Sequence, residues 1–177
     1  MGFTNSYKEA SQGGGIKPEG DYECIITAIE ERQTKNGAWG LNFTLVIRND
    51  VPGQKYGNAC LFHTIWKKKE PNDNDLAVRG YNFGQLMAMG RAAKLPDGKD
   101  YDSLEQYCGD LVMKCVRATL KHEEWGGKMQ ERVNYVDETK HPDCRHKFKT
   151  SKANAPAREN KSSEYGGIPL EDDGIPF

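Results

Sequence analysis

The sequence lacks long apolar runs and paired cysteines, and both absences narrow the class of protein. No segment approaches the run of about 18 apolar residues that a membrane-spanning helix needs, and the first residues do not open a signal peptide. The cysteines are odd in number and scattered, at positions 24, 60, 108, 115 and 144, whereas a secreted disulfide framework would pair them. We therefore expect a reduced cytoplasmic protein without membrane contact.

Catalytic signatures are missing as well. The chain contains no phosphate-binding Gly-x4-Gly-Lys-Ser/Thr loop, no Gly-x-Ser-x-Gly turn and no His-Glu-x2-His motif. His141, Cys144 and His146 suggest zinc, but a structural zinc site needs four ligands, usually in paired spacings. The sequence therefore predicts no enzymatic activity, no cofactor and no metal site.

Charge is nearly balanced over the whole chain but unevenly distributed. The net charge is −1 and the mean hydropathy is −0.82. Residues 20–139 hold 16 bases and 18 acids, residues 140–161 hold seven bases and two acids, and residues 165–177 hold three acids and no base. The central segment is thus not a uniformly basic surface, and any nucleic-acid affinity must come from local patches and aromatic stacking.

Alternating apolar and polar residues predict three strands in the first half. The first runs from Asp21 to the charged Glu30–Arg32. The others span Trp39–Arg48, with Arg48 on the polar face, and Asn58–Trp66. The Lys35-Asn36-Gly37 turn between the first two is of the hairpin type, since Asn-Gly readily supplies positive φ.

The second half predicts one helix and two further strands. A polar loop over residues 67–75 precedes a helix at Tyr81–Lys94, and Ser103–Tyr107 fits a short capped helical turn. The predicted strands are Leu111–Leu120 and Met129–Val136, joined by a loop at His122–Gly127.

Three strands, a helix and two strands is the element order of the OB-fold, a five-stranded barrel. We therefore predict an all-β domain with one helix over residues 20–139. A flexible arm at residues 1–19 is expected before it, with a basic disordered linker at 140–164 and an acidic partner-binding tail at 165–177.

Binding single strands without reading their sequence requires cations along the phosphates and flat rings for the bases. The expected DNA contacts lie where an OB-fold places its ligand: Lys35, Trp39, Arg48, Phe62, Trp66, Lys67, Lys68, Lys69, Lys121, Trp125, Lys128 and Arg132. Trp125 is the strongest candidate, because its glycine-rich polar surroundings offer no core to enter.

Each candidate has a structural alternative. Trp39 shares a face with Leu41, which favours a position in the core for its ring. The rings of Phe62 and Trp66 fit either packing on the helix or stacking with bases at the surface. The lysines at 67–69 fit a solvated loop.

The last seven residues carry a distinctive motif, an acidic run followed by Ile175-Pro176-Phe177. It resembles the Asp-Asp-Asp-Ile-Pro-Phe terminus with which bacterial single-stranded DNA-binding proteins recruit replication and repair enzymes, although Gly174 departs from that pattern. The resemblance implies a partner-binding set of Asp172, Asp173, Ile175, Pro176 and Phe177, with the apolar side chains in a pocket and the acids on a partner's Lys or Arg.

The segment from about residue 18 to 138 resembles a bacteriophage family long labelled as of unknown function. The resemblance rests on Gly20-Asp21-Tyr22, the Lys-Asn-Gly turn and Gly57. Members of that family are thought to be phage single-stranded DNA-binding proteins, which implies coating and protection of DNA in phage replication, recombination or repair.

Two other functions stay open at this point. The near-neutral central segment favours an adaptor that docks on host replication enzymes through its tail and has no DNA affinity of its own. The third is an RNA-binding or strand-annealing protein on the same fold. The sequence leaves the oligomeric state open, including a homo-oligomer.

Overall fold

Alternating apolar residues build a five-stranded antiparallel sheet in the computed structural model, which describes residues 16–149. The strands are β1 (Gly20–Gln33), β2 (Trp39–Ile47), β3 (Cys60–Trp66), β4 (Cys115–Trp125) and β5 (Lys128–Glu138). They lie in the order β3-β2-β1-β4-β5, which leaves β3 and β5 as the two edges of the hydrogen-bonded ladder. The chain divides into two units after His146, and all of these strands belong to the first.

β1 is the longest strand and pairs on both sides. Residues 20–25 pair with β4 and residues 24–33 pair with β2, with a register shift between Ile26 and Ala28. The irregularity lies where one partner gives way to the other, as expected of a bulge that bends a strand. β1 therefore belongs to both halves of a curved sheet.

Burial follows the predicted alternation most closely in β2, which ends at Ile47 and so leaves out Arg48, the last residue of the predicted strand. Leu41, Phe43, Leu45 and Ile47 are buried, while Asn42 and Thr44 between them are partly exposed. The same face of the sheet supplies most of the core. Other large apolar residues of the core include Ile26, Leu61, Ile65, Leu86, Leu111, Val116, Leu120 and Val133.

Three helices, rather than the predicted one, connect β3 to β4. The predicted helix is α2 (Phe83–Ala92), and the predicted capped turn extends to α3 (Leu104–Leu111), where the Ser103 side chain accepts a hydrogen bond from Gln106 N at 3.1 Å. A short helix, α1 (Asp73–Ala77), lies where a polar loop is predicted.

Two features of the β4–β5 hairpin also differ from the prediction. Leu111 ends α3 with its side chain buried, and Met113 adopts a φ of 70°, so β4 begins only at Cys115. At the other end, β4 continues through Trp125, and the predicted loop reduces to Gly126 and Gly127. The hairpin is therefore longer than expected.

The residues after β5 are tied to the sheet. Glu23 of β1 accepts hydrogen bonds from Thr139 Oγ1 and from Lys140 N, the latter at 3.2 Å. Arg48 donates to the carbonyls of His141 and Asp143 at 2.6 and 2.9 Å. We call residues 139–145 the strap. The predicted linker begins at residue 140, so its first residues are part of the folded unit.

The observed class is thus a mostly β fold with few helices, which confirms the predicted class in outline. Among residues 16–149, no helix is long and apolar enough to cross a membrane.

Candidate nucleic-acid interface

The outward side of β3 carries two exposed rings. Phe62, Thr64 and Trp66 alternate with the buried Leu61 and Ile65, so they point away from the core. Phe62 is 60% exposed and Trp66 is 47% exposed. Both rings therefore lie on the surface and do not pack on the helix.

Small residues of β2 lie opposite these side chains. The register places Gly40 opposite Trp66, Asn42 opposite Thr64 and Thr44 opposite Phe62. Thr64 Oγ1 donates to Asn42 Oδ1 at 3.1 Å. We call these six residues the β2–β3 face. None of them is charged, so this face offers ring stacking and hydrogen bonds, and contacts to phosphates must come from its ends.

The tip of the β4–β5 hairpin presents the most exposed indole of the described residues. Gly126 and Gly127 form the turn with φ values of 59° and 80°, a pair of positive φ angles that only a residue without a Cβ adopts readily. Trp125 lies opposite Lys128 in the register and is 71% exposed. The expectation that Trp125 has no core to enter is confirmed, and its contact with DNA stays a prediction.

Basic side chains share the outer side of this hairpin with Trp125. The register pairs Lys121 with Arg132, and directly paired residues lie on one side of the sheet. Arg132 forms an ion pair with Glu123 at 2.6 Å. Among residues 16–149, no ion pair involves Lys121 or Lys128, so these two cations are available to phosphates.

β3 and β5 contact each other without forming a ladder. Lys17 Nζ lies 3.4 Å from the Cys60 carbonyl oxygen of β3 and 3.3 Å from Glu131 Oε1 of β5. His63 also bonds the backbone of Val133, and burial lowers the pKa of this imidazole. We call this contact the seam. It places the hairpin at the Cys60 end of β3, so the hairpin tip flanks the β2–β3 face.

Trp39 and Lys67 lie at the other end of β3. Trp39 is on the core-facing side of β2, as its alternation with Leu41 predicts, yet it remains 40% exposed at the strand end. Lys67 Nζ lies 5.5 Å from the Trp39 ring centroid and 5.2 Å from that of the buried Tyr81, a cation–π arrangement. Trp39 is therefore beside the β2–β3 face, not on it.

The remaining predicted lysines fall into two groups. Lys35, in the β1–β2 turn, and Lys69 are exposed, and no ion pair among residues 16–149 involves either. Lys68 instead contacts Asp75 Oδ2 at 2.8 Å. The Lys68 ammonium and the backbone N–H groups of Phe83 and Asn72 lower the pKa of Asp75 to about 2. Lys68 thus stabilises the start of α1.

The structure removes Arg48 from the set of predicted DNA contacts. Its side chain is fully buried and binds Asp50 through two hydrogen bonds, of 2.9 and 2.6 Å. The guanidinium holds the pKa of that carboxyl well below its usual range. Arg48 follows the last residue of β2, where the strand's alternation no longer applies, and the strap covers it. Its role is structural.

Two residues near this surface lie outside the predicted set, and for Tyr135 the sequence left both a surface position and burial open. Tyr135 is 55% exposed on the outer side of β5, and a register shift near Asn134 changes which residues of β5 face outward, so simple alternation does not identify it. Lys17 belongs to the arm predicted at residues 1–19. Within the described part of that arm, it bridges the seam, and Glu19 accepts a hydrogen bond from His122 N at 2.8 Å.

Two further predictions concern sites elsewhere. The proposed partner-binding residues Asp172, Asp173, Ile175, Pro176 and Phe177 lie outside the described residues. Among residues 16–149, no group of three or more His, Cys, Asp or Glu side chains is placed to hold a metal ion.

A groove of about 1080 Å³ lies between α2, the following loop and α3. Its lining includes Phe83, Met87 and Tyr101. The Tyr101 hydroxyl and Lys99 Nζ both bond Asp110, at 2.9 and 2.6 Å. These polar groups satisfy one another, and the groove lies apart from the β2–β3 face.

The sequence matches one protein family over nearly its whole length. The match covers residues 3–162 and the family is described as "Protein of unknown function (DUF669)". This chain belongs to the DUF669 family. No curated protein matches it.

Proposed function

We propose that this DUF669 protein binds single-stranded DNA through the β2–β3 face and the β4–β5 hairpin, and recruits replication or repair enzymes through its C-terminal tip. The observation that carries the proposal is the exposure of Phe62 and Trp66 on one uncharged face of β3. Rings displayed in this way are costly to leave in water. Bases stack on them without regard to sequence, each contributing about 1–3 kcal/mol.

We further propose that the sheet is an OB-fold barrel. The element order, with the helices between β3 and β4, supports this. So does the seam, because β3 and β5 are the two strands whose contact closes such a barrel. In OB-folds, oligonucleotides bind the face of strands two and three between the first and last hairpin loops. Here Lys35 lies in the first of these loops, and Trp125 is the residue immediately before the last one.

The charge pattern fits binding in which stacking dominates. The uncharged β2–β3 face has Lys121 and Lys128 at the hairpin end, and Lys35 and Lys69 near the other end. Cations at the two ends would hold phosphates while the rings between them take bases. This arrangement explains how a chain with a net charge of −1 binds a polyanion.

The competing adaptor function is favoured by one observation, the excess of acids over bases in residues 20–139. An adaptor would need the C-terminal tip and no DNA affinity. Exposed rings on β3 would then have no ligand, which is the reason to prefer DNA binding.

Filter binding separates these functions. Labelled dT, rU and duplex oligonucleotides of equal length are compared at two salt concentrations. We expect binding to dT well above binding to duplex. Equal or tighter binding to rU would instead favour RNA as the ligand. Absence of dT binding at low salt, with tip-dependent capture of a host replication enzyme, would favour the adaptor.

A further inference from the structure

Gly40 has an unusual environment for a strand residue. It lies near the start of β2 on the outward side of the sheet, yet it is buried. Its φ is not in the left-handed region, so the backbone does not require glycine. Glycine within a strand weakens the strand and often marks a close approach by another group.

The group that approaches Gly40 is the indole of Trp66. A Cβ atom built on Gly40 would lie 2.9 Å from Trp66 Cζ3 and 3.0 Å from Trp66 Cε3. It would also lie 2.6 Å from Thr64 Cγ2. These separations are far inside van der Waals contact, since carbon atoms prefer about 3.5–4.0 Å. The six-membered ring of Trp66 therefore occupies the space that any side chain at position 40 would need.

Thr64 is held in the same arrangement. Its hydroxyl donates to Asn42 at 3.1 Å, which leaves its methyl group directed at Gly40. Rotating Thr64 to relieve a clash would break this hydrogen bond. Neither neighbour of Gly40 yields without a change in the β2–β3 face.

We propose that Gly40 is a positioning residue for base stacking: its missing side chain holds the Trp66 indole against β2 in one orientation, with the other side of the ring open to a base. The inference rests on the proposed single-strand binding. A ring fixed before binding loses less conformational entropy when a base stacks on it. A side chain at position 40 would push the indole off the sheet and let it sample several rotamers.

A double-mutant cycle tests this role. Gly40→Ala is made in the full-length protein and in Trp66→Ala, and the dissociation constant for oligo-dT is measured for all four proteins. With Trp66 present, we expect Gly40→Ala to weaken binding about fivefold or more, the low end of one stacked base. Without Trp66, the same change should alter binding by less than about twofold. Equal losses in both backgrounds would overturn the proposal.

Two controls isolate the cause. Gly109→Ala makes the same substitution in α3, where the new Cβ would have no atom within 4 Å apart from its chain neighbours and the helix's own backbone, and it should leave binding unchanged. Thr64→Ser removes only the methyl group that faces Gly40. If Thr64→Ser fully restores binding to Gly40→Ala, the limiting clash is with Thr64 and not with the ring, which contradicts the inference.

A fluorescence measurement tests the positioning role without DNA. In a Trp39→Phe, Trp125→Phe protein, Trp66 is the single tryptophan, because the chain has three. Gly40→Ala should increase both acrylamide quenching and the fast anisotropy decay of this indole. If the wild-type protein fails to bind dT but the single-tryptophan protein shows this change, the DNA-binding function is wrong and the positioning role holds. An unchanged indole signal would overturn the positioning role.

Folding is itself a readout. Should Gly40→Ala fail to fold with Trp66 present, but fold in Trp66→Ala, the clash with the ring is established. Should it fail in both backgrounds, the strain lies in the sheet and the proposal is refuted.

Discussion

Replacing Trp125 with alanine separates a binding role from a structural one, because affinity and stability are measured independently. The indole is 71% exposed, so less than a third of it is buried. An enclosed aromatic side chain buries about 150–250 Å², and a third of that, at about 25 cal/mol per Å², corresponds to at most roughly 2 kcal/mol. This value is an upper limit, since the unfolded chain also buries part of the ring. The variant should therefore remain folded at 25 °C.

The expected effect on binding is as large or larger, and a different assay measures it. Loss of one stacked base costs about 1–3 kcal/mol, which corresponds to a roughly 5- to 150-fold weaker dissociation constant for oligo-dT. Part of the fluorescence quenching seen on binding should disappear with the indole, and the remainder should come mainly from Trp66. Titration of wild type and variant with the same oligonucleotide, beside urea denaturation of both, measures the two effects separately.

Met129→Ala is the matched control. Met129 lies opposite Glu124 in the same hairpin and is 53% exposed, but it is on the other side of the sheet from Trp125. We expect it to keep full affinity. Equal loss of affinity in both variants would mean that the whole hairpin, and not the indole, matters. Unfolding of Trp125→Ala without separate loss of affinity would show that the ring is structural.

Four further outcomes follow from the structure and the sequence. About three to five phosphate contacts give a slope of roughly −2 to −3.5 when the logarithm of the binding constant for single strands is plotted against the logarithm of the salt concentration. Replacing Lys121 and Lys128 with alanine should make this slope less steep by about 1.4. An unchanged slope in filter binding would exclude both lysines as phosphate contacts. Deleting 174–177 should abolish capture of a host repair enzyme in a pull-down while leaving dT affinity unchanged or slightly higher, and retained capture would exclude recruitment by the tip. Arg48→Met leaves the charge of the partly buried Asp50 carboxylate uncompensated and should destabilise the fold by up to about 3–5 kcal/mol in urea denaturation, whereas a loss below about 1 kcal/mol would contradict the role assigned to this pair. The pKa of Asp75 is lowered from 3.8 to about 2, so its contribution to stability is complete above the unfolded pKa and is lost as the pH falls through about 2. Asp75→Asn should therefore flatten the dependence of unfolding free energy on pH in this acidic range. An identical pH dependence in the variant would argue against a stabilising role of the Asp75 carboxylate.

The strands with one buried side were predictable because alternation is a local property. β2 follows it from Leu41 to Ile47. In β3, the sequence left open whether Phe62 and Trp66 are exposed, and they are exposed because they alternate with buried residues. Trp125 was predictable for a related reason, since two glycines following a polar segment form a turn without a core.

The errors arise where distant parts of the chain meet. Arg48 is buried only because the strap, from beyond β5, covers it. The short helix α1 depends on a capping box in which Asn72 and Asp75 exchange hydrogen bonds at 2.9 Å, a signal present in the sequence but embedded in a polar stretch. In the sequence, Gly40 cannot be distinguished from an ordinary strand residue, because only the register brings Trp66 across it. Of these features, only the capping box has a local signature.

The seam has a consequence for how copies of this protein behave in a crowded solution. β3 and β5 are the two strands whose backbone edges the ladder leaves unpaired, and such edges are templates for pairing with another chain. Lys17 uses its ammonium group on the Cys60 carbonyl and on Glu131, so a charged pair occupies the position where a foreign strand would attach. Proteins commonly protect strand edges with charges of this kind. A protein that exposes aromatic rings for its ligand would thereby have, on the adjacent strand edges, a safeguard against self-association into extended sheets.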